Sequence, residues 1–393
     1  MTAAPARGRP DARNLFMGLL VAFVGFSSSF AVVTQGLLAV GATPAQAASG
    51  LAALCLAQGV GAIALSLRTR APISLAWSTP GAALLVSTGA LPGGFAEAVG
   101  GFLVCGALIL VAGLWKPLAG LVARIPMPLA SAMLAGVLLG LCLAPARAVA
   151  AMPGLALPIV LAWAGVGAVN RLYAVPAALV AFVAVVVFGI GLPGGGSGAA
   201  HLLPEVDFVV PAFSLPGLVG VALPLFVVTM ASQNIPGVAV LRVNGFTPEP
   251  GPLFATTGAL SMLGAPFGGH AVNLAAITAA MAAGPESHPE PARRMWTAVT
   301  AGAVYVVFGL LTGGVIALVG LSPPLLIQTV AGLALVGAFA GAATAAFHDA
   351  SSREAAAVTF IVTASGVSFA GVAGAFWGLL AGGALHALGR ARR

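Results

Sequence analysis

The sequence predicts an all-α polytopic membrane protein whose fourteen transmembrane segments form two inverted repeats of seven. Three observations predict this fold. Of 393 residues, 60% are hydrophobic and 6% are charged, whereas a soluble domain carries about 25% charged residues. Apolar runs long enough to span a bilayer follow one another along the chain. Interruptions by Gly and Pro recur at matching positions of the two halves, as in inverted-repeat transporters.

The segments follow from a length of ~20 residues per span, with allowance for shorter or broken ones. They are predicted at 15–40, 44–67, 73–89, 95–113, 128–145, 154–169, 173–192, 217–241, 250–264, 270–283, 296–320, 324–346, 353–369 and 372–389. Basic residues support this count, because all 16 except Arg147 fall on the cytoplasmic side if the N-terminus is cytoplasmic. Both termini are therefore predicted to be cytoplasmic.

The predicted organisation has four parts. Residues 1–14 form a cytoplasmic tail, residues 15–192 the first repeat, residues 193–216 an extracytoplasmic Gly/Pro-rich loop, and residues 217–393 the second repeat. Because seven is an odd number, the two halves enter the membrane in opposite senses.

The third segment of the first half is interrupted by the stretch WSTPG at 77–81. Pro80 has no backbone N–H to donate and fits the first turn of a helix, while Ser78 or Thr79 is a favoured N-cap. The sequence therefore predicts an extended stretch, ISLAW, followed by a half-helix at 79–89.

The third segment of the second half is interrupted by the stretch PFGG at 266–269. We expect the second half-helix to run from about His270 to Ala282, with His270 at its mouth. Two half-helix N-termini that face one cavity offer free N–H groups and positive dipole ends, which favour an anion. The alternative is that Gly and Pro are simply frequent in membrane helices.

Polar and aromatic residues near these breaks are the predicted substrate-binding residues. A carboxylate is expected at Ser78, Thr79, Gly269 and His270. Groups that orient it are expected at Ser28, Gln35, Gln233, Asn234 and Asn273. An apolar ring is expected at Trp77 and Phe267, with Phe26, Phe30 and Phe226 as further candidates. The serines of the first segment have an alternative role in helix packing.

His270 is the predicted proton-coupling residue, because it is the ionisable group nearest the expected cavity. Its alternative role is that of a neutral hydrogen-bond donor. No carboxylate falls at mid-membrane, so an acidic proton relay has no candidate. Three cysteines stand singly, without the spacing of a metal site. No metal, cofactor or nucleic-acid partner is predicted.

The strings GFSSSFAVVTQ, AWSTPGAALL, ALPLFVVTMASQNIPG, GGHAVNLAAITAA and TASGVSFAGVAGAFWGLLAGG resemble the benzoate/proton symporter family, BenE. The resemblance covers essentially the whole chain. It implies a multi-pass carrier of the bacterial inner membrane that takes up benzoate with a proton.

More distantly, the layout resembles the uracil-permease-type fold. That likeness implies a core of segments 1–4 and 8–11, a gate of segments 5–7 and 12–14, elevator-like movement and a homodimer. Those permeases carry acidic residues on helices 8 and 10, where this chain has Ser232-Gln233-Asn234 and His270. The departure is what an anionic substrate would call for.

The sequence therefore predicts a secondary transporter for an aromatic carboxylate and a proton in the lipid bilayer. One alternative is a proton-independent anion exchanger or channel on the same fold. A membrane-embedded enzyme is not favoured, since no catalytic Ser-His pair, paired carboxylates or metal-ligand cluster falls at membrane depth. A structural scaffold would not require two matched helix breaks.

Overall fold

The chain folds mainly into helices, with two short pairs of antiparallel strands. A computed structural model describes residues 9–115, 117, 126–191, 203–369 and 372–391. In the first half, the helices and the strand β1 are α1 Ala12–Ser27, α2 Phe30–Ala39, α3 Pro44–Thr69, β1 Leu75–Trp77, α4 Thr79–Thr88, α5 Gly94–Leu114, α6 Met127–Cys142, α7 Ala144–Ala151, α8 Pro153–Val169 and α9 Ala174–Ala184. A 3₁₀ turn, Arg171–Tyr173, precedes α9, and a π-helical stretch, Val185–Gly191, follows it.

The second half has a similar order of elements. They are α10 Leu223–Thr229, α11 Ile235–Val243, α12 Pro250–Gly264, β2 Val272–Leu274, α13 Ile277–Ala283, α14 Met295–Leu310, α15 Thr312–Gly320, α16 Pro324–Phe347, α17 Arg353–Ala364, β3 Ser368–Phe369, β4 Val372–Ala373 and α18 Gly374–Ala391. Two π-helical stretches, Gly217–Ala222 and Met230–Asn234, flank α10, and 3₁₀ turns occupy Ala265–Phe267 and Pro291–Arg293.

Seven helices among the described residues are long and apolar enough to cross a membrane. They are Ala12–Ala39, Pro44–Thr69, Gly94–Leu114, Met127–Ala151, Arg171–Ile190, Gly217–Val243 and Pro324–Phe347. An eighth arises if Pro291–Leu310 and Thr312–Gly320, bent by 55°, form one span. A helical segment overlaps each of the fourteen predicted ranges, while the count of fourteen crossings stays a prediction.

Capping residues fix where the first long helices begin. The side chain of Asp11 accepts the backbone N–H of Asn14 at 2.9 Å, so α1 begins at Ala12, three residues before the predicted span. Thr43 accepts the N–H of Gln46 at 3.2 Å, and the next residue, Pro44, has no N–H to lose.

Two segments distant in sequence meet through strands β1 and β2. They pair antiparallel, with Ala76 opposite Asn273. Beyond the strands, the N–H of Ser78 donates to the Ala271 carbonyl, and the N–H of Ala275 donates to the Ser74 carbonyl, both at 2.9 Å. This pairing satisfies extended backbone groups in an apolar interior, where an unpaired amide would cost several kcal/mol.

The second half-helix does not begin at His270, and this prediction is wrong. Helix α13 begins at Ile277, because residues 272–274 are held extended from both sides. The N–H of Val272 donates to Ser261 Oγ at 2.8 Å, and the N–H of Leu274 donates to Asn234 Oδ1 at 2.9 Å. These distant partners stabilise the strand over the helix.

The described part of the predicted connecting loop, 203–216, lies against the helices as extended chain. The N–H of Val209 donates to the Pro266 carbonyl at 2.8 Å, and the N–H of Ala212 donates to the Ala96 carbonyl at 2.9 Å. Residues 192–202 lie outside the described ranges, and the division into two repeats at this loop stays a prediction.

Candidate functional site

A pocket of about 60 Å³ lies where the strand pair meets α1, α3 and α14. Several elements contribute to its wall. The lining residues are Gly25 of α1, Ser28 and Ser29 between α1 and α2, Gln58 of α3, Ala76, Trp77 and Thr79 around the start of α4, Gln233 of the π-helical stretch Met230–Asn234, Ala275, Ala276 and Thr278 near the start of α13, and Tyr305 of α14.

The wall at the start of α4 is fixed by Ser78. Its side chain accepts the N–H of Gly81 at 3.1 Å, and it accepts the Thr229 hydroxyl at 2.8 Å. Because Pro80 has no N–H and Gly81 is already bonded, few backbone donors remain at this helix end. Thr79 lines the pocket, and its hydroxyl is a candidate hydrogen-bonding group for a ligand.

An aromatic cluster borders the pocket. The ring of Trp77 makes edge contacts with Phe26 and Tyr305, at centroid distances of 5.8 and 6.3 Å. Its indole N–H donates to Ser29 Oγ at 2.8 Å, which fixes the ring plane. Phe308 lies 4.9 Å from Phe26, centroid to centroid. Of these rings, Trp77 and Tyr305 line the pocket and are the ones placed to contact an aromatic ligand.

The Tyr305 hydroxyl reaches α1 because position 25 is a glycine. A Cβ at Gly25 would overlap the hydroxyl oxygen of Tyr305. The close approach brings α14 and α1 together at the pocket and sets its width on this side.

The side chain of Gln58 is 1% exposed, and neither of its amide atoms has a hydrogen-bond partner among the residues that the structure describes. A buried amide without partners loses about 1–3 kcal/mol for each unsatisfied group. Such a group in the wall of a pocket is a candidate for contact with a polar ligand.

Comparison with known proteins identifies the family. The sequence profile of the BenE family, described as a benzoate membrane transport protein, matches residues 11–388.

The chain belongs to the BenE family.

Relatives in sequence agree with this assignment, and a solved structure shares the fold. The chain is 40% identical to the inner membrane protein YdcO of Escherichia coli (strain K12) over 376 residues, which cover 95% of each protein. It is 28% identical to the benzoate membrane transport protein of Acinetobacter baylyi over 372 residues, covering 93% of this chain and 92% of that one. The fold resembles the transmembrane domain of a cyanobacterium bicarbonate transporter, BicA, with a TM-score of 0.56, 16% identity and 96% of each chain covered.

In this BenE-family protein, four of the residues predicted from the sequence line the pocket. They are Ser28, Trp77, Thr79 and Gln233. Two others, Ser78 and Asn234, lie directly behind the wall, where their hydrogen bonds hold α4 and β2 in place.

The remaining predicted residues do not line the pocket. Gln35 accepts a hydrogen bond from Gln328 Nε2 at 3.3 Å. Asn273 donates from Nδ2 to the Leu274 carbonyl at 2.8 Å, and its Oδ1 has no partner in the described chain. Phe267 makes an edge contact with Phe208, at 5.8 Å between centroids. Gly269 is buried before β2, where its N–H donates to the Gly264 carbonyl at 3.0 Å.

His270 is fully buried before β2 rather than at the mouth of a helix. The backbone N–H of Ala271 donates to its Nδ1 at 2.6 Å, and its ring makes an edge contact with Phe102. Its Nε2 has no hydrogen-bond partner among the described residues. The proton-coupling role of His270 was predicted from a position at the mouth of a half-helix, where the structure does not place it. The role stays a prediction.

Sequence reasoning did not find Gln58, Thr278 or Tyr305. Gln58 could have been predicted, because an amide side chain within an apolar span needs a hydrogen-bond partner. The same argument predicts Gln233. Tyr305 gave a weaker one, as one of 2 tyrosines in the chain. In the described chain, no three His, Cys, Asp or Glu side chains are grouped to hold a metal ion.

Arg294 caps the C-terminal end of α13. This side chain is 7% exposed and donates to the carbonyls of Ala283, His288 and Pro289, at 2.9, 2.8 and 3.4 Å. A positive charge at a helix C-terminus also opposes the negative end of the helix dipole.

Arg294→Met is expected to lower the free energy of unfolding by roughly 2–4 kcal/mol, because the buried carbonyls of Ala283 and His288 lose a charged donor. The measurement is the thermal unfolding midpoint of the purified protein in detergent. Arg13→Met is the matched control, since Arg13 is exposed and donates to the single carbonyl of Glu286. Equal midpoints for both variants would contradict a capping role for Arg294.

A cluster of charged residues lies close to Arg294. The carboxylate of Asp11 is 3.1 Å from His288 Nε2 and 3.4 Å from Arg293. The pKa of Asp11 lies below its ordinary value of 3.8, chiefly because the Asn14 N–H donates to the carboxylate, with Arg293 and His288 adding to the effect. Because folding lowers the pKa of Asp11, its ionised carboxylate stabilises the fold at pH values above 3.8. This contribution is lost as the pH falls through the pKa of the folded state.

Proposed function

We propose that this protein is a secondary active transporter that imports benzoate, or a related aromatic carboxylate, with a proton across the bacterial inner membrane. The observation that carries the proposal is the pocket beside the strand pair. It combines an aromatic cluster with hydroxyl and amide groups, the two kinds of surface that an aromatic carboxylate requires.

The ring of the substrate is assigned to Phe26, Trp77 and Tyr305. Burial of about 100 Å² of ring surface stabilises a complex by roughly 2.5 kcal/mol, and each well-placed aromatic pair adds about 0.5–1.5 kcal/mol. The pocket of about 60 Å³ is smaller than the roughly 150 Å³ cavity known to admit benzene. Entry of the ring therefore requires the aromatic side chains to move apart.

The carboxyl group of the substrate is assigned to the polar lining residues Ser28, Gln58, Thr79 and Gln233. The N-terminus of α4 adds a favourable dipole of about 0.3–2 kcal/mol for a negative charge. This contribution falls short of the ~8 kcal/mol of a micromolar complex, so ring and carboxyl contacts act together.

The proposed mechanism is elevator-like alternating access. Fourteen segments in a seven-plus-seven inverted repeat would form a core of segments 1–4 and 8–11, with half-helices α4 and α13, that moves against a gate of segments 5–7 and 12–14. Both termini would be cytoplasmic and two copies would form a homodimer. The fold shared with the BicA transmembrane domain supports this layout.

Uptake by proteoliposomes tests the proposal. Purified protein is reconstituted, an inward proton gradient is imposed, and radiolabelled benzoate is followed over time against empty liposomes. We expect saturable accumulation above the equilibrium level, lost when an ionophore collapses the gradient. Saturable uptake that ignores the gradient would instead identify a proton-independent exchanger or channel. Absence of protein-dependent uptake would reject benzoate transport.

A further inference from the structure

The amide of Gln58 is built into the pocket without a partner of its own. Its side chain is 1% exposed and lines the cavity, yet neither Nε2 nor Oε1 is hydrogen-bonded within the described chain. Native proteins pair nearly all such groups. A ligand that satisfies Gln58 must therefore accept one hydrogen bond and donate another.

A carboxylate and a protonated carboxyl group differ in this respect. A carboxylate has acceptors alone, so it can pair with Nε2 but leaves Oε1 buried and unpaired. A protonated carboxyl group has one acceptor oxygen and one O–H donor on adjacent atoms. It can accept from Nε2 and donate to Oε1 in one planar ring of two hydrogen bonds.

The described lining of the pocket also offers no full positive charge to neutralise an anion, and the N-terminus of α4 adds only the partial charge of its dipole. None of its described lining residues is acidic, basic or a histidine, and its titratable group is the Tyr305 hydroxyl. Cys55 lies near Tyr305 on α3. A phenol and a thiol are neutral or negative and never positive, so neither group can neutralise a bound anion. His270 packs against Phe102 outside the pocket.

We propose that the substrate's own carboxyl group carries the transported proton and that Gln58 recognises the protonated carboxyl through both amide atoms. This inference rests on the proposed function and names its coupling group. The Nε2 donates to the carbonyl oxygen of the carboxyl, and the carboxyl O–H donates to Oε1.

The balance of charge follows from this arrangement. A carboxylate gains one proton from water on the outer side, crosses as a neutral acid and releases the proton on the inner side. No protein side chain changes its protonation state, and no net charge moves. Accumulation should therefore respond to a pH gradient and be unaffected by an imposed potassium-diffusion potential.

Binding of benzoate as a function of pH tests the inference. The apparent Kd of the purified full-length protein is measured by calorimetry from pH 5 to 8. Because a carboxyl group has an ordinary pKa of about 4, we expect Kd to rise tenfold per pH unit, with one proton taken up per ligand. A pH-independent Kd would show that the carboxylate binds.

Benzamide separates the head-group chemistry from the proton. Its amide presents the same acceptor and donor pair as a protonated carboxyl group, yet it does not titrate in this range. We expect benzamide to bind with a pH-independent Kd and to compete with benzoate. Failure of benzamide to compete at any pH would overturn the pairing with Gln58.

Gln58→Leu is expected to weaken both ligands at least tenfold, since two hydrogen bonds are lost. Gln46→Leu is the matched control, because Gln46 lies on α3 outside the pocket. In His270→Gln, the slope of log Kd against pH should be unchanged, whereas a coupling role for His270 requires that it flatten. If Gln58→Leu does not fold, the inference is still tested by the slope of log Kd against pH for the wild-type protein and by competition with benzamide.

Failure of this inference and failure of the proposed function give different results. Benzoate binding with a flat pH profile, or uptake that responds to the membrane potential, would overturn the inference and leave benzoate transport standing. Absence of any benzoate binding between pH 5 and 8 would overturn both.

Discussion

Trp77→Ala is expected to abolish measurable benzoate binding and to lower the free energy of unfolding by about 3–5 kcal/mol. Trp77 is 2% exposed, forms two edge contacts with other rings and donates to Ser29. Its removal leaves a cavity beside the strand pair and takes away the surface assigned to the substrate ring. Binding is measured by calorimetry and stability by thermal unfolding.

Two further variants separate the ring from the fold. Trp77→Phe keeps an aromatic ring and loses the hydrogen bond to Ser29, so it should lower stability by about 1 kcal/mol and retain benzoate binding. Trp115→Ala is the matched control, because Trp115 is 58% exposed at the end of α5. If a folded Trp77→Ala variant binds benzoate with wild-type affinity, the assignment of the substrate ring to this pocket is contradicted.

The start of α4 could be predicted from sequence because its determinants are local. Ser78 caps the helix by accepting the N–H of Gly81, three residues further along the chain. Pro80 suits the first turn of a helix in any surroundings. The start of α13 could not be predicted in this way. Ala276 provides no side-chain cap, and β2 is fixed by Ser261 and Asn234, which lie far away in sequence.

The pocket shows the same division between local and distant determinants. Residues beside the breaks, such as Trp77 and Thr79, were found because the break itself marks a cavity. Gln58 and Tyr305 lie on continuous helices, and their position at the pocket depends on how α14 packs against α3 and α1. That packing depends in turn on small residues such as Gly25, where a side chain would overlap Tyr305.

Cross-linking of the proposed core to the proposed gate is expected to abolish transport. Gln35 lies on α2 in predicted segment one, and Gln328 lies on α16 in predicted segment twelve. Gln328 Nε2 donates to Gln35 Oε1 at 3.3 Å, so this hydrogen bond joins the two proposed bodies. If the core slides along the gate, the contact must break in every cycle, and a covalent bond at this point stops the movement.

The experiment uses Gln35→Cys with Gln328→Cys in a Cys142→Ala background, since Cys55 and Cys105 are buried and Cys142 is partly exposed. After oxidation by copper phenanthroline, benzoate uptake by proteoliposomes should fall to the level of empty liposomes, and a reductant should restore it. Benzoate binding should persist in the oxidised protein, because neither residue lines the pocket.

The control cross-link joins two segments of the proposed core. Asn14 Nδ2 donates to Thr297 Oγ1 at 3.2 Å, between α1 and α14, which belong to predicted segments one and eleven. A disulfide between cysteines at these positions should leave uptake intact, because the two helices move together in an elevator. Retained transport in the oxidised 35/328 pair would contradict sliding at this contact. Loss of transport in both pairs would indicate that the first segment itself must move relative to the eleventh, which an elevator with a rigid core does not allow.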